Sequence, residues 1–497
     1  MNADYAIVFA IFTYQRNSKI ETNRSKRLLQ LKSMSKNIAI VGAGILGLTL
    51  ALRYSQQGHS VTIFESGSAI GGLAGTWQLG DYCWDKHYHV TLASDKFTRK
   101  LISEIGLSEQ LQWKQTKTGF YCGDRIESLS DASEFLSFSP IGLMSKIRLA
   151  LTILLTSRIQ NWKKLEKISV EQWLNRISGR EVFEKIWKPL LISKLGDSYR
   201  DTSAAFIWAT IKRMYAARSA GLKKEQFGYV EGGYSTVLQR LSELLADLGA
   251  EVRLDSQVSE VTRNRAAKVT VKYSSISKSA FHVLNASAAN YGIGSTNRPL
   301  LYNSQNDFEE SFDAVILTCP APVAANLVPE LTETERQKLL SIKYQGIVCA
   351  SVLTRRPLSP FYVINLLEPM PFTGVIEMTA LVDPKTFSGN GLIYLPKYAQ
   401  WDDPIFRADD ETLRIEFLAA LERMFPAFDQ NDVLAFKVSR VKYVFPLPTI
   451  GYSESVISPE TTVKNVFLVN SSQIVNGTLN VNETIQLAES FFENYRI

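Results

Sequence analysis

Metal-binding and redox cysteine patterns are missing from this chain. Its four cysteines, Cys83, Cys122, Cys319 and Cys349, stand alone, with no C-x-x-C pair among them. That removes zinc-finger and thioredoxin-type readings, and isolated thiols fit a reducing, cytoplasmic compartment. Histidine is equally scarce, with four in 497 residues. The apolar run Ala6 to Tyr14 has nine residues, well short of the ~20 that span a bilayer. A basic body is missing too. The net charge is +6, but residues 1 to 36 hold seven Lys and Arg against two acids. The remainder is almost neutral, which argues against a nucleic-acid partner. Residues 1–35 are expected to be a disordered or mis-assigned extension, with Met34 a natural start. A targeting or membrane-touching segment is the alternative.

What is present begins at Asn37. The apolar strand Ile38 to Val41 runs into Gly42-x-Gly44-x-x-Gly47, then into a helix carrying Leu48, Leu50 and Leu52 that stops at Gly58. A second apolar strand, Val61 to Phe64, ends in Glu65, 23 positions after Gly42. In the dinucleotide-binding unit an acid at about 20 positions holds ribose hydroxyls. Gly42 permits the tight turn, Gly44 lets backbone approach a pyrophosphate, and Gly47 lets helix and strand pack closely. The helix N-terminus offers free N–H groups to the phosphates. The backbone of Ala43, Ile45 and Leu46 completes that cradle. A carboxylate at Glu65 disfavours a 2′-phosphate. A Gly-rich turn in an ordinary α/β unit would leave Glu65 unexplained.

Directly after this strand comes Ser66-Gly-Ser-Ala-Ile-Gly71-Gly72-Leu73-Ala74-Gly75. A Gly pair in this place resembles the flavin amine oxidase, protoporphyrinogen oxidase and carotenoid desaturase superfamily, in which it lies against FAD. Glu231-Gly-Gly-Tyr before a helix, Val258 after Gly249-Ala-Glu-Val-Arg-Leu, Phe312 to Pro320, and Val466-Phe-Leu-Val-Asn470 resemble the later returns of that superfamily to the cofactor. The resemblance implies FAD contacts from Ser66, Gly71, Gly72, Leu73, Ala74, Val258 and Asn470. It departs from the family at Ala69 and Leu73, where arginines are usual, and at Asn470-Ser471, where Gly-Asp is usual. Covalent attachment in the family uses a late cysteine. None follows Cys349, so non-covalent FAD is expected.

The implied fold is α/β. A Rossmann-like FAD/NAD(P)-binding domain of the GR2 type is split over residues 36–90, 226–325 and 455–497. An inserted α+β substrate domain takes 91–225 and 326–454. Helical spacing marks Phe97–Ile105, Ile147–Ile159, Val170–Ile177, Val182–Leu191, Glu333–Ser341 and Asp410–Met424. Strands are expected at Gly346–Leu353 and Val375–Leu381. Residues 274–311, rich in Ser and Asn, read as a surface excursion with one extra strand at Phe281–Leu284. The apolar stretch Leu149 to Thr156, between Lys146, Arg148 and Arg158, reads either as a buried helix or as a peripheral membrane contact.

Two of the four histidines lie in Trp84-Asp85-Lys86-His87-Tyr88-His89-Val90. Strand alternation would put Asp85, His87 and His89 on one face. His87 and His89 are therefore candidates to donate to a flavin carbonyl or move a substrate proton. Their alternative is burial against backbone. No third ligand accompanies them, so no metal is expected. Lys397, Tyr394, Tyr398 and Glu377 are weaker candidates, and Lys188 and Lys194 read as helix-covering cations. The expected activity is an FAD-dependent oxidoreductase removing a hydride from a C–N or C–C unit of a small organic substrate. The alternatives are a flavin-dependent mutase resembling UDP-galactopyranose mutase, with Arg213, Arg355 and Arg440 holding a diphosphate, or a flavin-binding protein without turnover.

Overall fold

The computed structural model describes residues 35–130, 132–219, 226–275, 306–475, 479–495 and 497. The segments 1–34, Phe281–Leu284 and the central part of the 274–311 excursion lie outside them.

Five strands from three distant stretches form one parallel sheet. Their order is Glu251–Arg253, Ser60–Phe64, Asn37–Val41, Ala314–Leu317 and Val466–Leu468. Parallel strands covered on both faces are apolar throughout rather than alternating. Here Ile38, Ile40, Ile63 and Ile316 look to one side and Ala39, Val315 and Leu317 to the other, all buried. The helices Ile45–Gln56, Tyr234–Asp247 and Val481–Asn494 cover the first side. On the second lie a three-stranded antiparallel sheet and the helices Ala321–Leu327 and Glu333–Ser341.

A seven-stranded mixed sheet forms the other layer. It runs Val433–Pro446, Tyr344–Thr354, Gly391–Ala399, Gly374–Glu377, Val363–Leu366, Thr118–Cys122 and Arg125–Ser128. The parallel pairing of Val363–Leu366 with Thr118–Cys122 joins the two inserted stretches into one sheet. Leu143–Arg158, Val170–Ser178, Lys188–Leu195 and Ala204–Ser219 make up its helical part.

Packing departs from the expected divisions at residues 90 and 325. The helix Lys96–Glu104 buries Leu101 and Ile102 in the core beneath the nucleotide sheet. Leu339 of Glu333–Ser341 joins the core on that sheet's opposite face. Apolar periodicity announces an inward face but does not say which layer receives it. Two strand expectations also shorten. The strand before His87 ends at Asp85, so His87 and His89 sit on irregular backbone and share no strand face. The strand Gly374–Glu377 gives way to a turn at Met378–Ala380. There the buried Glu377 carboxylate accepts from the Leu358 N–H at 2.9 Å and from the Thr379 hydroxyl.

Candidate cofactor and substrate site

The glycine loop is fixed by steric limits that can be stated atom by atom. Gly42 has φ +112°, and a Cβ there would lie 2.6 Å from Thr318 Oγ1. That hydroxyl donates to the Val41 carbonyl at 2.9 Å and clamps the turn. A Cβ on Gly47 would fall 2.0 Å from the Gly42 carbonyl oxygen. Gly44 is different, because a Cβ there would meet nothing within 4 Å. Its face is open to the cavity that runs past the loop. Gly71 (φ +108°) donates its N–H to the Ala43 carbonyl at 2.8 Å, so the Gly pair is pinned directly against the loop.

Glu65 closes the cradle. One carboxylate oxygen accepts the Ala43 N–H at 2.9 Å and the other the Gly67 N–H at 2.8 Å. Ser66, Ile45 and Leu46 border the same cavity, as do Gly72, Leu73 and Ala74. Ala43 and Gly47 stand behind it as supports of the turn.

Two expected contacts are not at the cavity wall. Val258 is buried in the antiparallel sheet opposite Tyr273, beside a register shift before Glu260. Asn470 is buried and turned inward. Its Oδ1 accepts the Ser472 N–H at 3.0 Å and the Ser472 hydroxyl at 2.7 Å, capping the turn Ser471–Gln473. Asn is a strong N-cap residue, and that use consumes the oxygen. The neighbouring Ser471 reaches the cavity instead.

Both histidines border the cavity. His87 is buried, with Nδ1 3.1 Å from the Leu73 carbonyl and Nε2 without a partner. Burial, reinforced by His89, pushes its pKa down to about 4. The ring is therefore neutral near pH 7. A carbonyl only accepts, so Nδ1 carries the proton and Nε2 is left as an acceptor. The expectation of a histidine donor reverses at this position. His89 is half-buried, 3.8 Å from the Asp85 carboxylate and tilted against the Tyr234 ring, a separation too long for a hydrogen bond.

The cavity, about 1510 Å³ in volume, continues into an apolar compartment. Phe120, Leu149, Ile153, Trp187, Phe206 and Ile207 form its walls. At the seam the Tyr88 and Tyr398 hydroxyls are 2.9 Å apart. Tyr394 is not at the wall; its hydroxyl donates to the Asp85 carbonyl at 2.7 Å. Lys397, next to Tyr398 on the same strand, points away, as alternation requires. Lys188 pairs with Glu184 at 2.7 Å. Lys194, by contrast, faces the cavity. Its position two residues before the Gly196 cap makes it look in sequence like any helix-terminal cation.

The three arginines do not converge. Arg213 borders the cavity but is tied to Asp95 at 2.8 Å. Arg440 pairs with Asp410, and Arg355 lies near Asp432. Among the described residues no cluster of His, Cys, Asp and Glu has the makings of a metal site.

The loop fits a dinucleotide. Gly44 leaves room for a pyrophosphate, Glu65 borders the same cavity, and the unpartnered Nε2 of His87 is a buried acceptor. A parallel sheet that ends in the glycine loop thus shares one cavity with a mixed sheet, the architecture of a two-layer α/β enzyme. The sequence pattern of flavin containing amine oxidoreductases matches residues 46–480. The chain belongs to that family and is an FAD-dependent oxidoreductase. It is 23% identical to a zeta-carotene desaturase of Synechocystis over 87% of this chain and 92% of that one. A mitochondrial protoporphyrinogen oxidase of Nicotiana tabacum is 22% identical over 60% of this chain and 63% of its own. Reduced UDP-galactopyranose mutase superposes with a TM-score of 0.67 at 13% identity, covering 92% of this chain and 94% of that structure. That likeness is one of fold.

Proposed function

We propose that the protein holds FAD non-covalently and removes a hydride from a C–N or C–C unit of a largely apolar organic substrate. The observation that carries this reading is the continuity of one cavity from the open face of Gly44 to the apolar compartment. Loop N–H groups and the helix N-terminus would hold the pyrophosphate, and Glu65 the ribose hydroxyls. Bound FAD supplies the hydride acceptor. The chain's residues orient and enclose. Leu73 fixes the His87 ring through its carbonyl, so that Nε2 accepts a proton-bearing group. The walls around Phe206 and Ile207 exclude water. Cys319 also borders the cavity. Burial pushes its pKa up to about 12, which keeps it a thiol and supports non-covalent binding.

A mutase would need cations gathered for a diphosphate. The dispersal of Arg213, Arg355 and Arg440 among three acids argues against it. The test is anaerobic mixing of FAD-loaded protein with apolar amines and with polyenes. Bleaching of the flavin without added reductant is expected. Turnover only after prior reduction, with no net redox change, would replace this reading with the mutase one.

The helix Leu143–Arg158 supports a route for such a substrate. Its inner face, with Leu149 and Ile153, forms cavity wall. Its outer face bares Leu143 (65%), Met144 (70%) and Leu155 (58%), with Ile147 and Leu151 also exposed. Exposed Arg158, Lys163, Lys164 and Lys167 follow. No helix among the described residues is long and apolar enough to cross a membrane. Apolar side chains rimmed by cations suit the surface of an anionic bilayer. Sedimentation with anionic vesicles should therefore fall by about tenfold in a Leu151→Gln, Leu155→Gln variant, given roughly 1.4 kcal/mol per decade. Unchanged sedimentation would remove the membrane route.

A further inference from the structure

Lys194 is out of place in an apolar compartment. It lies in the last turn of Lys188–Leu195, a helix that packs on the strand Gly391–Ala399. Its Nζ sits 3.7 Å from the Tyr398 ring centroid and 5.1 Å from that of Phe445. Among the described residues no carboxylate pairs with it and no acceptor takes its hydrogen bonds. Ring faces attract an ammonium but accept no strong N–H bond. The Tyr398 hydroxyl, which lies at the ring edge, is engaged with Tyr88 at 2.9 Å. The ammonium is thus held in position while its donors stay free. A half-buried cation facing apolar walls with no anion beside it is poorly compensated, so its three donors are open to an acceptor that arrives with a ligand.

We propose that Lys194 anchors an acidic group at one end of an otherwise apolar ligand, so that the compartment takes amphipathic carboxylates or phosphate monoesters. The walls supply the apolar complement: Phe120, Leu149, Ile153, Trp187 and Phe206 surround the space that Lys194 enters. Burial alone pushes the Lys194 pKa down to about 7. That is the signature of a cation without an anion beside it, and an acidic group would restore its charge. Arg213 does not compete, because Asp95 already engages it. The assignment rests on reading this compartment as the substrate site.

Calorimetric titration of the FAD-loaded protein tests it without relying on turnover. The probes are dodecanoate, dodecyl phosphate and dodecanol. One anion should bind at least about tenfold more tightly than dodecanol, the scale of a charge-assisted hydrogen bond. Whichever anion shows the preference identifies the head group. Lys194→Met should abolish that preference while leaving dodecanol binding intact, which shows that the variant is folded. Lys194→Arg should retain it. Equal binding of all three probes, or a preference that survives Lys194→Met, overturns the proposal. If the preference holds while no substrate ever bleaches the flavin, the anchor stands and the oxidoreductase mechanism falls.

Discussion

The two ends of the cavity are built on opposite plans. At the glycine-loop end the recognition elements are mostly backbone, and the groups that shape the turn are tied to one another. Glu65 accepts two N–H groups, Gly71 reaches Ala43, and Thr318 clamps the turn. At the apolar end the elements are side chains from distant stretches, and one cation, Lys194, has no anionic partner among the described residues. Cofactor binding thus depends on where a Cβ can be tolerated, whereas substrate binding depends on which side chains meet.

Valine at the two loop glycines separates these roles most sharply. Gly47→Val places carbon 2.0 Å from a carbonyl oxygen and should cost ~3 kcal/mol or more in denaturant unfolding, the range of core overpacking. In Gly44→Val the new Cβ meets no atom within 4 Å, and Gly44 has an ordinary φ of −71°. The variant should leave the melting temperature of the apoprotein nearly unchanged and weaken FAD by about a hundredfold or more, equivalent to ~2.7 kcal/mol. If both variants unfolded alike, the open face of Gly44 would not be a ligand surface.

His87 lies at the seam and adds a pH term. Its pKa falls from an ordinary 6.5 to about 4 in the folded chain. Between these values the unfolded chain binds a proton that the folded one refuses, so stability rises with pH. The contribution is complete above about pH 6.5 and lost as pH falls toward 4, up to ~3 kcal/mol. His87→Gln should flatten that part of the pH–stability curve relative to the parent. Parallel curves would mean that the ring keeps its ordinary pKa in the folded chain.

The smallest effect belongs to the apolar end. Ile153→Trp should fill part of the compartment and slow flavin reduction by substrate about tenfold, equivalent to ~1.4 kcal/mol. FAD affinity should not move. A matching loss of FAD would merge the two ends into one site.

This division also explains what could be read from the sequence. Gly42 and Gly47 were legible because the geometry of the turn admits few residue types there, and Glu65 because it closes that turn by accepting two N–H groups. The Gly71-Gly72 pair was legible for the same reason. Asn470 also caps a local turn with its amide oxygen, a use that composition cannot reveal. The place of Val258 depends on its pairing with Tyr273, which the sequence does not announce. The outward leucines of Leu143–Arg158 were ambiguous since both faces of that helix are apolar, one toward the cavity and one toward solvent. Lys194 was set aside as a surface cation. Its aromatic neighbours, Tyr398 and Phe445, are 204 and 251 positions away, and only the fold brings them together.

The absorption spectrum of purified, unsupplemented protein, taken before and after denaturation and filtration, tests the central claim most directly. The account predicts a flavin band near roughly 450 nm that bleaches with dithionite, returns in air, and passes the filter once the chain is unfolded. A colourless protein that added FAD cannot reconstitute would contradict it.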